Sequence, residues 1–308
     1  MNCNRSHPWN CALLLAVLLT FAGWASAQSP VERAARLAQS GSWSAAYEAL
    51  SPAMQGEPYR SDAHAWFVLG FIQKELHKLS GETGTDAPYR LGAVGSLQRA
   101  MAMATLTSDD RETSREALDF LARSYFREAI DRVEGFTPGA TPEILALMGR
   151  YESIQLQLNA AFDVSDQRAD LHRYLGQAHA NLLETGRYEA TPAEAELFDG
   201  AVEHYRKSLQ YDAASYPSQY NLAIALYNHG VRQLKRINHT TSMFELMEIQ
   251  DACVGLFEAA LEPMRQAHAQ RPDRLETLKG LMTIHYALSQ EAASAEYREQ
   301  IERILEKR

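Results

Sequence analysis

Gln219-Tyr220-Asn221-Leu222-Ala223 opens a helix whose partner is closed by Ala260, Met264, Ala267 and Pro272. Leu278, Leu281, Met282 and His285 then open the next pair, so one helical-hairpin register repeats between Ala201 and Tyr286. Apolar positions three and four apart lie on one face of an α-helix. Small residues in that stripe matter as much as large ones. An alanine lets two helices approach closely, and the larger side chain three or four positions on fills the groove between them.

Toward the N-terminus the register returns. Gly41-x-Trp43-x2-Ala46-x3-Leu50-x2-Ala53, followed by Pro58, reads as the second half of one unit. Trp66-x2-Leu69-Gly70 reads as the first helix of the next, with Asp62 as its N-cap. The breaker cluster Ser80-Gly81-Glu82-Thr83-Gly84 ends that helix near Leu79. These residues resemble the tetratricopeptide-repeat (TPR) family, whose pattern is W-x2-L-G-x2-Y on one helix, then A-x3-F and a later P, over about 34 residues. The resemblance implies an all-α fold, a right-handed α-α solenoid of about five to six TPR-like hairpins. It makes residues 28–308 one helical repeat domain. Exported bacterial members with lengthened helices are the nearest likeness, on Tyr227-Asn228-His229-Gly230-Val231 and Glu276-Thr277-Leu278-Lys279.

The pattern is not uniform. Trp66 and Ala93 are 27 residues apart, against about 16 in the family pattern, so that hairpin carries an insertion. Asp109 and Asp110 begin a third pair, with Leu118, Leu121, Ala122 and Tyr125 in the expected slots. Residues 135–142 read as a loop, and the helix at 143–159 lacks the A-x3-F code. His172, Leu175, Gly176 and His179 open a fourth unit, and Ala201-x3-Tyr205 belongs to its second helix. Leu222 and Leu281 are 59 residues apart, and the excess falls at 231–257. Helical periodicity on both sides of Asn238-His239-Thr240-Thr241 predicts lengthened helices there, not a loose loop. The last helix, 292–307, is predicted to turn Tyr297, Ile301 and Leu305 inward as a terminal cap.

Of the 308 residues, 46% are hydrophobic and 22% charged, a composition in the soluble range. A polar start with Arg5, an apolar run at 11–24 and Ala25-Ser26-Ala27 have the layout of a secretory signal peptide over residues 1–27. The run is shorter than the roughly 20 apolar residues of a membrane span. The chain is therefore expected to be exported and periplasmic. The mature part should have no transmembrane span, and peripheral association with the outer membrane is left open. Cleavage would leave Cys253 alone of the 3 cysteines, so no intrachain disulfide can form. In Cys253-Val254-Gly255-Leu256-Phe257 it reads as a small buried residue. The net charge of -9 becomes one unit more acidic when Arg5 is lost. That disfavours nucleic acid and anionic lipid as partners, since both require basic surfaces.

Chemistry leaves little trace. His172 and His179, seven apart, share a helical face, with His204 a candidate neighbour, but no HExxH or closely spaced Cys/His group occurs. No nucleophile elbow, Walker loop or dinucleotide fingerprint is present. Carboxylates are read as tracking the solvent side of the helices, with Glu299 and Arg303 as an ordinary i,i+4 pair. The reading is a protein that is not an enzyme and has no cofactor and no metal.

In the family the Trp, Leu, Gly and Tyr slots face the neighbouring helix, and the intervening positions line a concave groove. By that resemblance the groove receives Phe67, Phe71 and Glu75, then Arg123 and Arg127, then Arg173, Gln177 and Asn181, then Tyr220, Asn221, Ile224 and Asn228. Aromatic, guanidinium and amide groups together suit an extended peptide, whose backbone they can satisfy and whose side chains they can anchor. Glu276 and Gly280 stand where a carboxylate clamp of this family would need basic residues. The function read from the sequence is a protein–protein interaction scaffold holding a peptide or partner protein along that face in the bacterial envelope. One alternative is a structural subunit of an envelope assembly that docks through its long-helix excursion. The other is a small-ligand-binding solenoid.

Overall fold

The computed structural model describes residues 28–306; the signal-peptide reading of residues 1–27 lies outside the described residues. Every regular element among the described residues is helical. There are twelve α-helices, in six consecutive pairs, with two short 3-10 turns after the second. They are α1 (Pro30–Gln39), α2 (Trp43–Leu50), α3 (Ala63–Ser80), α4 (Pro88–Ala102), α5 (Ser108–Glu134) and α6 (Thr141–Leu158). There follow α7 (Ser165–Glu184), α8 (Pro192–Tyr211), α9 (Tyr216–Leu234), α10 (Met243–Gln270), α11 (Leu275–Ala287) and α12 (Glu291–Glu306). The fold is all-α, a succession of TPR-like helical hairpins. The chain divides into two compact units, with the boundary between Leu121 and Ala122, inside α5.

In the first unit the ends are set by local chemistry. Ser29 accepts from the Glu32 N–H ahead of α1, and Asp62 accepts from the N–H groups of His64 and Ala65 ahead of α3, supplying partners that a helix start lacks. Gly81, at φ 66°, stops α3 in the left-handed conformation that a side chain resists. Leu50, Leu69, Ile72 and Leu76 then form the core against Val31, Ala34 and Ala46.

The second unit packs α7 on α8, α8 on α9, α9 on α10, and α10 on α11 in turn. Its core joins Ala201, Tyr205, Leu222, Leu226, Phe257, Ala260, Met264, Leu281 and Ile284. A close approach recurs through both units. A Cβ added to Gly70 would lie 2.7 Å from Leu97, at Gly176 2.8 Å from Tyr205, and at Gly230 2.6 Å from Phe257. In these three hairpins the glycine of the first helix is the seat of a large residue from the second. Between α9 and the longer α10 the buried Cys253 thiol adds to this contact, donating to the Gly230 carbonyl at 3.3 Å.

Three expectations are corrected. Leu305 is 54% exposed, and the inward stripe of α12 runs through Ser294, Tyr297, Ile301 and Ile304. A 3.6-residue helix drifts past a strict four-residue step, so the inward position after Ile301 falls at 304. Arg303 donates to the Glu299 carbonyl, not to its carboxylate. Glu194 is buried in the second unit, whereas acids had been placed on the solvent side.

Candidate functional site

On α7 and α9 the second unit brings half-buried amides together. Gln177 and Asn181 are one turn apart, and the Gln177 Nε2 donates to the Asn181 Oδ1 at 2.7 Å. The Gln177 Oε1 accepts from the Asn221 Nδ2 at 3.0 Å and from the Tyr205 hydroxyl at 3.3 Å. Burial pushes the Tyr205 hydroxyl well above its usual value, so it remains a neutral donor. Ile224, Asn228 and Arg232 continue the stripe along α9, and with Gln177, Tyr205 and Asn221 they line a cavity of about 110 Å³.

An ion cluster closes its far end. The Arg232 Nη1 donates to the Leu183 carbonyl at 2.8 Å, completing the last turn of α7, and its Nε lies 3.8 Å from Glu194. Arg236 makes a close ion pair with the same carboxylate, which also accepts from the Ala190 N–H at 2.8 Å. Burial pushes the Glu194 carboxyl up. The hydrogen bonds and charges of Arg236, Ala190 and Arg232 outweigh it and hold the group below its usual range. The Phe198 and His229 rings stack beside this cluster, 3.7 Å between centroids.

The sequence-predicted residues distribute as follows. Gln177, Asn221, Ile224 and Asn228 line this cavity, and exposed Asn181 is tied to it through Gln177. Arg173 sits one turn before, donating to Asp170 at 2.9 Å with its guanidinium 4.0 Å from the Tyr174 ring centroid. Tyr220 stacks on Tyr216. Arg123 and Arg127 are exposed on α5. In the first unit Phe67 and Phe71 line an apolar cavity of about 340 Å³ with Trp43, Ala35, Ala38 and Val68. Glu75 lies a turn further along α3, paired with Lys74 at 2.9 Å and Lys78 at 2.7 Å, while Lys74 covers the Phe71 face at 4.2 Å. Burial raises the Glu75 carboxyl, and the two lysines more than reverse that.

Tyr205 and Arg232 were missed as site residues. Arg232 follows Asn228 by one helical turn, a spacing visible in the sequence; the part played by the Tyr205 hydroxyl depends on how α8 packs and left no such mark.

A buried histidine cluster lies between α7 and α8. The His172 and His204 Nδ1 atoms are 3.0 Å apart, their rings stack, and the His179 ring centroid is 5.5 Å from that of His204. Burial, then the Lys207 charge, lowers His172 to about 4. Burial, then neighbouring His172 and His179, lowers His204 to about 4. Among the described residues no group of three or more His, Cys, Asp and Glu is arranged to hold a metal ion.

No family model and no curated protein matches this chain. Solved structures do. A monomeric mutant of IFIT1 with Gppp-AAAA is 9% identical over 84% of this chain and 46% of that one, with a TM-score of 0.34. This chain thus spans about half of that protein's length. MamA protein is 10% identical over 79% of this chain and 93% of its own, with a TM-score of 0.30. A human IFIT1 dimer with PPP-AAAA is 10% identical over 85% and 68%, with a TM-score of 0.23.

Proposed function

We propose that this chain is a non-enzymatic scaffold that binds an extended peptide segment of another protein along the α7–α9 face of its second unit. The single observation behind this is the Gln177–Asn221–Asn228 amide stripe, half-buried beside the apolar Ile224 and bounded by Arg232. Side-chain amides carry both donors and acceptors, which is what a peptide backbone presents in return. Ile224 gives an apolar side chain of the segment somewhere to rest. The layout of residues 1–27 supports a bacterial envelope location, to be checked by cell fractionation.

The test is selection of short, unstructured peptides from a displayed library on residues 28–308, with affinities measured by fluorescence anisotropy. Gln177→Ala with Asn221→Ala should weaken a selected peptide about tenfold, the size of one or two lost net hydrogen bonds, without changing the helical spectrum. A library that yields no binder, or a binder indifferent to both substitutions, would remove this face from the proposal. Arg173→Glu asks separately whether the site extends one turn further. Unchanged affinity would end it at Gln177.

A further inference from the structure

The helix α10 is 28 residues long and its partner α9 is 19. The fully buried residues of α10 begin only at Cys253, and one turn before it Ile249 still packs on the core, so the turns from Met243 to Glu248 are the ones that run past the main packed stretch. They do not fray. Ser242 accepts from the Glu245 N–H at 3.2 Å while the Glu245 carboxylate accepts from the Ser242 N–H at 2.9 Å, a reciprocal cap that closes the first turn. On this ordered end Met243 is 73% exposed, Phe244 70% and Met247 57%, and Val254, beside the packed stretch, is 43% exposed. Met243, Met247 and Val254 recur at helical spacing and form a stripe beside the buried one. A concentrated run of exposed large apolar side chains on one helix end marks an interaction site.

Its border identifies the partner. From Ser242 to Glu262 the sequence holds five acids, Glu245, Glu248, Asp251, Glu258 and Glu262, and no lysine or arginine. Asp251, Glu258 and Glu248 project along the edge of the stripe away from the core, and all three are exposed. We infer that the projecting end of α10 is a docking surface for an amphipathic partner helix whose apolar face is bordered by lysine or arginine. Met243, Phe244 and Met247 supply the contact, and methionine adapts to varied surfaces. The acidic edge selects by charge and accelerates encounter. The same edge repels anionic lipid and nucleic acid. This surface lies on residues separate from the α7–α9 stripe and stands or falls independently of it.

The probes are two labelled helical peptides of one leucine pattern, with lysine flanks in one and glutamate flanks in the other, titrated against residues 28–308. The lysine peptide should bind and the glutamate peptide should not. Phe244→Ala with Met247→Ala, and separately Glu248→Lys with Asp251→Lys, should each weaken the lysine peptide at least tenfold. Glu291→Lys with Glu296→Lys on α12 should leave it unchanged, as should Gln177→Ala with Asn221→Ala. All four side chains altered on α10 are exposed, so matching circular dichroism spectra are expected. Affinity that ignores the α10 substitutions, or falls equally with those on α12, would reduce the effect to general charge attraction and overturn the inference. A dimer in sedimentation that Phe244→Ala with Met247→Ala dissolves would assign the face to a second copy instead.

Discussion

At the scale of single residues, the spacing between helices is set where a glycine meets a large side chain. A methyl group on Gly176 would lie 2.8 Å from the Tyr205 ring, a rigid group that cannot fold away. Gly176→Ala should therefore cost about 1–3 kcal/mol through overpacking. It should also shift the Tyr205 hydroxyl away from Gln177. Urea denaturation checks the first effect, as a lower midpoint at unchanged slope. A variant as stable as the parent would show that the ring moves freely and that this contact does not hold the hairpin together. The glycine and the Ala201-x3-Tyr205 step could be read from the sequence, because both follow from spacing along one chain. The amide network could not. Gln177 and Asn221 are 44 positions apart, and which of their atoms meet depends on how two helices cross. Glu194 was misread for the same reason, since its partner Arg236 arrives from 42 positions away.

At the scale of the elements, helix lengths were more legible than helix faces. The 59 residues from Leu222 to Leu281 exceeded one repeat, and the structure places the excess in α10, 28 residues long, and in the link at 235–242, while α9 at 19 residues is no longer than α7 or α8. What periodicity could not supply was which part of α10 lacks a partner, because an exposed apolar stripe and a buried one look alike in sequence. The end of α10 depends on its cap. Ser242→Ala removes the acceptor for the Glu245 N–H and should cost about 1 kcal/mol. The loss should be local: hydrogen exchange should accelerate over the first turn of α10 while the packed stretch from Cys253 onward keeps its protection. Equal protection throughout would mean that the projecting turns are held by something other than the cap. Leu305 makes the converse point. A terminal helix packs on one side only, so a one-position error in its register moves a leucine from the core into water without breaking any sequence rule.

At the scale of the whole molecule, the fold should carry a pH dependence that its surface charge does not explain. The sequence placed His172 and His179 on one helical face, with His204 a candidate neighbour. The structure gathers all three, His172 facing Tyr211 and His204, with Lys207, Arg168, Glu203 and Glu152 around them. Folded, His172 and His204 resist protonation down to about 4; unfolded, they take up protons near 6.5, the ordinary value for histidine. Between those limits the unfolded chain binds more protons than the folded one, so stability rises with pH and falls as acid is added. For two such groups the slope reaches at most about 2.7 kcal/mol per pH unit, and the loss levels off below about 4. The carboxyls of Glu75 and Glu194 are held below their usual range, so their own losses come later, as pH drops through 4.5 and lower. The two windows can thus be separated. Urea midpoints measured from pH 7 to pH 5 should fall steeply in the parent and much less in His172→Gln with His204→Gln. The variant should start lower at pH 7, because its amides replace stacked rings. Parallel curves for the two proteins would mean that the cluster opens to water before the fold does, and that the acid sensitivity of this chain resides elsewhere.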